Sequence, residues 1–299
     1  MKRIIECVPN YSEGRDRSKI EKIADCFRGK SGVKLLDYSS DEDHNRSVFT
    51  VIGEPDDLVE AVVESIGTAV ELIDLTAHEG QHPRMGAVDV VPFIPVQNTN
   101  MDDADQCARK TAEKASRLFK VPFILYEDSA TASHRKNLAS IRKGGFEAMA
   151  EKMKKSRWAS DYGPETIHPT AGVTAIGARM PLVAYNIKLG TNDLSVADAI
   201  AKKIRHISGG FRYCKAMGVA LKDRGIVEVS MNLTDFSRTA VYRVFETVKM
   251  ECRRYGVSVL GSEIVGLVPM KALIDSAEYY LGLENFSMEQ VLEKRIWTD

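Results

Sequence analysis

The densest run of side chains able to do chemistry is His78-Glu79-Gly80-Gln81-His82-Pro83-Arg84-Met85-Gly86-Ala87-Val88-Asp89. Its first five residues match H-E-x-x-H, in which two histidines ligate zinc and the glutamate acts as a base. That chemistry needs a helix, because only there do positions i and i+4 share a face. Gly80 weakens a helix, and the Pro83 ring, placed directly after the second histidine, would clash with the carbonyl of Glu79. No third ligand follows at a recognisable spacing. The run therefore reads as a loop, and loops on rigid scaffolds are where catalytic groups are usually found. His82 is held by Pro83 and flanked by Arg84; a nearby cation favours a neutral imidazole that can accept a proton. His82 is thus a candidate general base, with a hydrogen-bonded loop histidine as the alternative.

A second cluster spans Asp37–Arg46 and carries Asp41, Asp43, His44, Asn45 and Arg46. Carboxylates and amides of this kind can read the amino and amide edge of a pterin-like ring, and a bidentate arginine can hold a carboxylate. A solvated acidic turn is the competing reading. The third cluster, Pro169–Arg179 (PTAGVTAIGAR), has small residues that admit a flat ligand or simply pack. The basic runs His134-Arg135-Lys136-Asn137 and Arg142-Lys143-Gly144-Gly145 could receive a polyanionic tail or be solvated surface.

Strands and helices must position these groups. Lys2–Val8, Val33–Tyr38 and Ser47–Gly53 read as strands, and Ser18–Phe27 as an amphipathic helix. Pro55 opens a long helix to about Asp74, in the first-turn position where its missing N–H does no harm. Val88–Val96 is a strand whose Pro92 and Pro95 predict a sheet edge or bulges. Asp102–Phe119 and Leu138–Met153 read as helices around a short strand, Phe123–Tyr126. Lys154–Gly172 is polar, carries glycine and proline and follows neither period, and so marks a domain boundary. Strand, helix, two strands, helix and strand follow: Leu182–Leu189, Val196–Ile207, Gly218–Lys222, Ile226–Asn232, Thr239–Tyr255 and Val257–Leu260. Lys222-Asp223-Arg224-Gly225 forms the hairpin turn. Both halves read β-α-β-β-α-β, so the expected fold class is α/β (α+β): two ferredoxin-like subdomains with an active-site cleft between them.

Composition sets outer limits. With 299 residues, 44% hydrophobic and 28% charged, the chain suits two soluble domains. A net charge of -1 supplies no field for nucleic acid. No apolar run approaches the roughly 20 residues that span a bilayer, and the N-terminus reads as a strand rather than a signal peptide. Five scattered cysteines without a C-x-x-C pair suit a reducing cytoplasm.

The sequence resembles the formiminotransferase family, known as the first part of formiminotransferase-cyclodeaminase and as free-standing glutamate formiminotransferases. The resemblance is carried by ECVPNYSEGR at Glu6–Arg15, DEDHNRSVFTVIG at Asp41–Gly53, HEGQHPRMGAVDVVPFIPV at His78–Val96, IRKGGFE at Ile141–Glu147, PTAGVTAIGAR at Pro169–Arg179 and the run Arg224–Pro269. It implies an N-terminal formiminotransferase subdomain over 1–165, a C-terminal one over 166–299, and a folate tunnel between them. It also implies transfer of the formimino group of N-formimino-L-glutamate to tetrahydrofolate, a co-substrate, with no metal, in histidine breakdown and one-carbon metabolism. The family's catalytic histidine falls on His82. Its folate-binding segment falls on Gly163, Pro164, Glu165, Thr166, Ile167, His168, Pro169, Thr170, Ala171 and Gly172. Asn10, Asp41, Asn45, Arg46 and Arg84 complete the expected substrate- and folate-contacting set. HEGQHPRMG departs from the family's HKGEHPRMG, and Glu79 makes the loop less basic. A chain ending at Asp299 leaves no room for a cyclodeaminase part, so that activity is expected to be absent. The rival readings are a glutamate formyltransferase using 5-formyltetrahydrofolate and a non-enzymatic folate-binding protein. Homodimerisation through a sheet edge is left open.

Overall fold

The computed structural model describes residues 2–81 and 83–297. Among these, eleven strands and nine α-helices fall into two compact units, Met1–Arg179 and Met180–Asp299. The first unit holds β1 (Ile4–Cys7), β2 (Asn10–Tyr11), α1 (Arg17–Asp25), β3 (Val33–Asp41), β4 (Arg46–Gly53), α2 (Pro55–Leu72), β5 (Val88–Gln97), α3 (Met101–Phe119), β6 (Phe123–Leu125), α4 (Leu138–Arg142), α5 (Gly145–Met153) and β7 (Thr174–Ala178). The second holds β8 (Val183–Leu189), α6 (Leu194–Ile204), β9 (Cys214–Leu221), β10 (Ile226–Leu233), α7 (Val241–Arg254), β11 (Val259–Val265), α8 (Met270–Leu281) and α9 (Leu292–Trp297).

In the first sheet β5 is central. It pairs antiparallel with β1 and β2, which pair in turn with β4, and β3 lies on the far edge of β4. On its other side β5 runs parallel to β7, and β7 parallel to β6. The prolines of β5 do not place it at an edge. Instead its registers with β1 and β2 shift, at Ile4/Ile5 and Asn10/Tyr11. Seven successive residues of β5, Val88–Ile94, are buried because both faces are covered. The α1, α2 and α3 helices pack one face around Tyr11, Phe49, Ile66 and Phe93. A second apolar cluster, with Met85, Val90, Ile141, Met149 and Trp158, lies on the α4 and α5 side.

The compact unit ends at Arg179, beyond both the Lys154–Gly172 segment marked by composition and the 1–165 division implied by the resemblance. The reason is β7: all five of its residues are buried between β5 and β6, so this stretch belongs to the first sheet. The helix expected over Leu138–Met153 is two helices, broken where Gly144 (φ 95°) and Gly145 (φ 64°) turn left-handed. The second sheet has the order β11-β8-β10-β9, with every neighbour antiparallel. Alternate residues of β8, from Val183 to Leu189, point into a core shared with α6 and α7. The β1-α1-β3-β4-α2-β5 path of the first unit follows the same strand order, to which β2, β6 and β7 are added.

Candidate functional site in the first unit

Residues on both sides of position 82 are fixed by backbone and side-chain bonds; His82 itself lies outside the described residues. The described residues between Leu75 and Ala87 are irregular, as Gly80 and Pro83 predict. The β3–β4 turn braces it. Gln81 N–H donates to Asp43 O at 3.1 Å, and Asn45 Nδ2 donates to Glu79 O at 2.9 Å. Asn45 adopts the left-handed conformation (φ 48°) that asparagine tolerates, and its Oδ1 accepts from Gly14 N at 2.9 Å. Asp41 closes the turn, accepting from His44 N at 2.8 Å and pairing with His44 Nδ1 at 3.0 Å. Burial works against the Asp41 carboxylate, but the His44 hydrogen bonds outweigh it and hold the group below its usual range.

His78 and Arg84 tie the two ends of the loop together. Arg84 Nε–H donates to His78 Nδ1 at 3.1 Å, which leaves the proton of the neutral ring on Nε2, 3.0 Å from Asn45 O. With both ring nitrogens engaged, His78 has no lone pair free for a metal. Burial depresses its pKa; Arg84 adds to the effect and the bond to Asn45 O opposes it. Arg84 also donates to His78 O at 3.1 Å and grips Glu147 with a two-pronged contact of 3.0 and 2.8 Å, joining the loop to α5. An open cavity of about 430 Å³ lies against this network, lined by Thr76, His78, Glu79, Gly80, Arg84 and Glu147 among others.

The Gly163–Gly172 segment meets the same loop. Thr170 O accepts from Leu75 N at 2.8 Å, Ala171 O from Ala87 N at 2.9 Å, and Met85 O from Val173 N at 2.9 Å. This approach demands glycine. A Cβ on Gly86 would lie 2.2 Å from Val173 O, and one on Gly172 (φ 67°) would lie 2.2 Å from Met85 O. His168 folds back on its own turn, with Nδ1 accepting from Ala171 N at 3.0 Å, and burial lowers its pKa. Ile167 packs on the Met85 cluster, Ala171 is buried, and Glu165, Thr166 and Pro169 are exposed. Ser160 Oγ donates to Pro164 O at 2.8 Å, and Gly163 (φ 89°) runs close to Val121 O. Asn10 turns its Nδ2 to Val8 O at 3.0 Å.

Behind the loop, Asp89 on β5 is 1% exposed. Its Oδ1 accepts from Met85 N at 2.8 Å, and Arg142 of α4 pairs with its other oxygen. Burial raises the Asp89 pKa against the pull of Arg142, the Met85 N–H and Arg46. Arg46, at the start of β4, is pushed down by burial and by Arg142, and held up by Asp89 and Asp41. Neither basic run is simple solvated surface. Arg135 is 6% exposed, pairs with Asp161 at 2.7 Å and donates to the carbonyls of Arg157 and Ala159. Sequence reasoning missed Glu147 and the Arg142–Asp89 pair because their partners are distant in the chain. Among the described residues no group of three His, Cys, Asp or Glu is placed to hold a metal, and no helix is long and apolar enough to cross a membrane.

Comparison with known proteins places this arrangement in a family. The model for the formiminotransferase domain, N-terminal subdomain, matches residues 4–179, ending where the first compact unit ends. The model for the formiminotransferase domain matches residues 184–296. A glutamate formimidoyltransferase of Streptococcus pyogenes serotype M1 is 51% identical over 297 residues, covering 99% of each chain. Another, of Thermoplasma acidophilum, is 42% identical over 98% of this chain and 97% of its own. The formimidoyltransferase-cyclodeaminase of Sus scrofa is 38% identical over 97% of this chain, a match spanning 54% of its own length. With both subdomain models matched in order, one on each compact unit, the chain belongs to the formiminotransferase family.

Proposed function

We propose that the chain transfers the formimino group of N-formimino-L-glutamate to tetrahydrofolate, giving 5-formiminotetrahydrofolate and glutamate, with His82 as the general acid and base. The observation that carries this reading is the end-to-end similarity to two glutamate formimidoyltransferases. N5 of tetrahydrofolate attacks the amidine-like carbon and loses a proton as the new C–N bond forms. The glutamate nitrogen takes a proton as its own C–N bond breaks. One histidine can serve both transfers in turn, a contribution of roughly 10²–10⁴ in rate. Tetrahydrofolate is a substrate, and the reaction requires neither metal nor redox chemistry.

The proposed folate wall is Gly163–Gly172, whose backbone already runs along the loop that carries position 82. Asn10 and Asp41 stay within the proposed substrate set. Asn45 and Arg84 commit most of their polar atoms to the loop scaffold, so their proposed role is to hold it. A cytoplasmic location fits five free, buried cysteines. The test is loss of formiminoglutamate by the purified protein with and without tetrahydrofolate. Loss that depends on tetrahydrofolate is expected; no loss, or equal loss in its absence, rejects the reading.

A further inference from the structure

We propose that Glu228, on the face of the second sheet turned away from α6 and α7, receives a planar N–C–N pair of hydrogen-bond donors on a substrate. This rests on the transferase reading above, because both substrates carry such a pair. In formiminoglutamate it is the protonated formimino amidine; in tetrahydrofolate it is the 2-amino and N3–H edge of the pterin. The strand pattern comes first. In β10, Val227, Val229, Met231 and Leu233 enter the core shared with α6 and α7, so Glu228, Ser230 and Asn232 face the other way. That face is open in places: Asn232 is exposed, and Met217 and Val265, in register on it, are more than half exposed. Glu228 breaks the pattern, being only 5% exposed. Its Oε2 is buried and has no hydrogen-bond partner among the described residues. Lys188, its register partner on β8, gives its Nζ to Glu263 at 2.5 Å instead, and Glu263 also accepts from Asn186 Nδ2 at 3.4 Å. Burial, helped by Glu263, raises the Glu228 pKa against the pull of Lys188 and Arg224. A carboxylate buried without donors destabilises a fold, and a polar group left so in a native protein marks strain or function. An N–C–N donor pair satisfies both carboxylate oxygens with two parallel bonds, as a guanidinium fork does.

The test is Glu228→Gln, which keeps the shape of the side chain but not its two acceptor oxygens. With no partner inside the fold to lose, the variant should resist urea at least as well as the wild type. In steady-state kinetics one KM, for formiminoglutamate or for tetrahydrofolate, should rise about 10- to 100-fold, the usual worth of hydrogen bonds to a charged group. A rise confined to formiminoglutamate assigns the site to the amidinium, and one confined to tetrahydrofolate assigns it to the pterin edge. Unchanged KM values, or equal rises in both, overturn the proposal. So does a variant less stable than the wild type or unable to fold, because the carboxylate would then have its partner within the fold. If the wild-type protein turns nothing over, the transferase reading has failed on its own. Calorimetric titration with formamidinium chloride and with pterin then decides the site: weaker binding of either to Glu228→Gln than to the wild type supports it, and equal or absent binding overturns it.

Discussion

Arg84→Lys should destabilise the first unit almost as much as Arg84→Ala, although it keeps the charge. The Arg84 guanidinium makes two bonds to His78, at 3.1 Å each, and two to Glu147, at 3.0 and 2.8 Å. Glu147 is 64% exposed at its side chain, so water screens that half, leaving about 0–1 kcal/mol. The His78 half is more buried, and each bond there contributes about 1 kcal/mol net. A total of ~2–3 kcal/mol follows, most of it from His78. Lysine offers a point charge on a flexible stem and cannot reach His78 Nδ1, His78 O and Glu147 together. Urea denaturation of the wild type, Arg84→Lys, Arg84→Ala, His78→Ala, Glu147→Gln and the His78→Ala/Arg84→Ala double variant measures these quantities. Glu147→Gln should cost less than about 1 kcal/mol. The cycle between Arg84 and His78 should show coupling of at least ~1 kcal/mol, as touching residues do. A fully stable Arg84→Lys, or additive His78 and Arg84 effects, would refute the account of the loop as clamped by this guanidinium.

Other outcomes are equally specific. Burial lowers the pKa of both His78 and His168 in the fold, so the unfolded chain binds more protons than the native one once pH drops. Stability at these sites is complete above about pH 6.5 and declines as pH falls through that value, which denaturation midpoints at pH 7.5 and 5.5 will read. His82→Ala should lower kcat by roughly 10²–10⁴ with little change in folate affinity, whereas a near-neutral effect would remove His82 from the chemistry. Formiminoglutamate should be preferred over formylglutamate by roughly 5- to 150-fold in kcat/KM. A protonated formimino nitrogen donates a hydrogen bond to a site acceptor, whereas a formyl oxygen only accepts one, and the mismatch leaves a buried polar group unpaired. Equal or inverted values would point to formyl transfer.

Much of the scaffold was legible because burial writes itself into the sequence as a period. The alternation along β8 and the stripe Leu58, Val62, Ile66 and Ala69 on α2 are such records. Three features were not legible. Thr174–Ala178 carries small residues buried on every side, so it shows no alternation and read only as small residues that admit a flat ligand or pack. The α8 helix has one fully buried residue, Ala272, and so a weak stripe. The pair Gly144-Gly145 inside an apolar pattern was visible, but only their positive φ angles show that it ends one helix and begins another. In the site, local chemistry was readable and long-range partnership was not. Gly80 and Pro83 argued correctly for a loop, but nothing near Arg84 in the chain points to Glu147.

The way the loop is held also explains why motif reading finds it more easily than periodicity does. Its braces are mostly backbone groups: Asp43 O, Asn45 O, Thr170 O and Ala171 O all accept from it. Backbone acceptors impose no residue type on the strand that supplies them, but they require the donor chain to come close. That closeness is what sequence records, as glycine where a Cβ would strike a carbonyl at Gly86 and Gly172, and as asparagine where the turn goes left-handed at Asn45. A methyl group at Gly172 would collide with Met85 O and Phe146 at once, pushing apart the two segments whose juxtaposition the proposed reaction uses. The chemistry-bearing side chains thus sit on a frame specified by a few conformationally special residues, and the apolar core beneath it fixes the sheet ends from which that frame is hung.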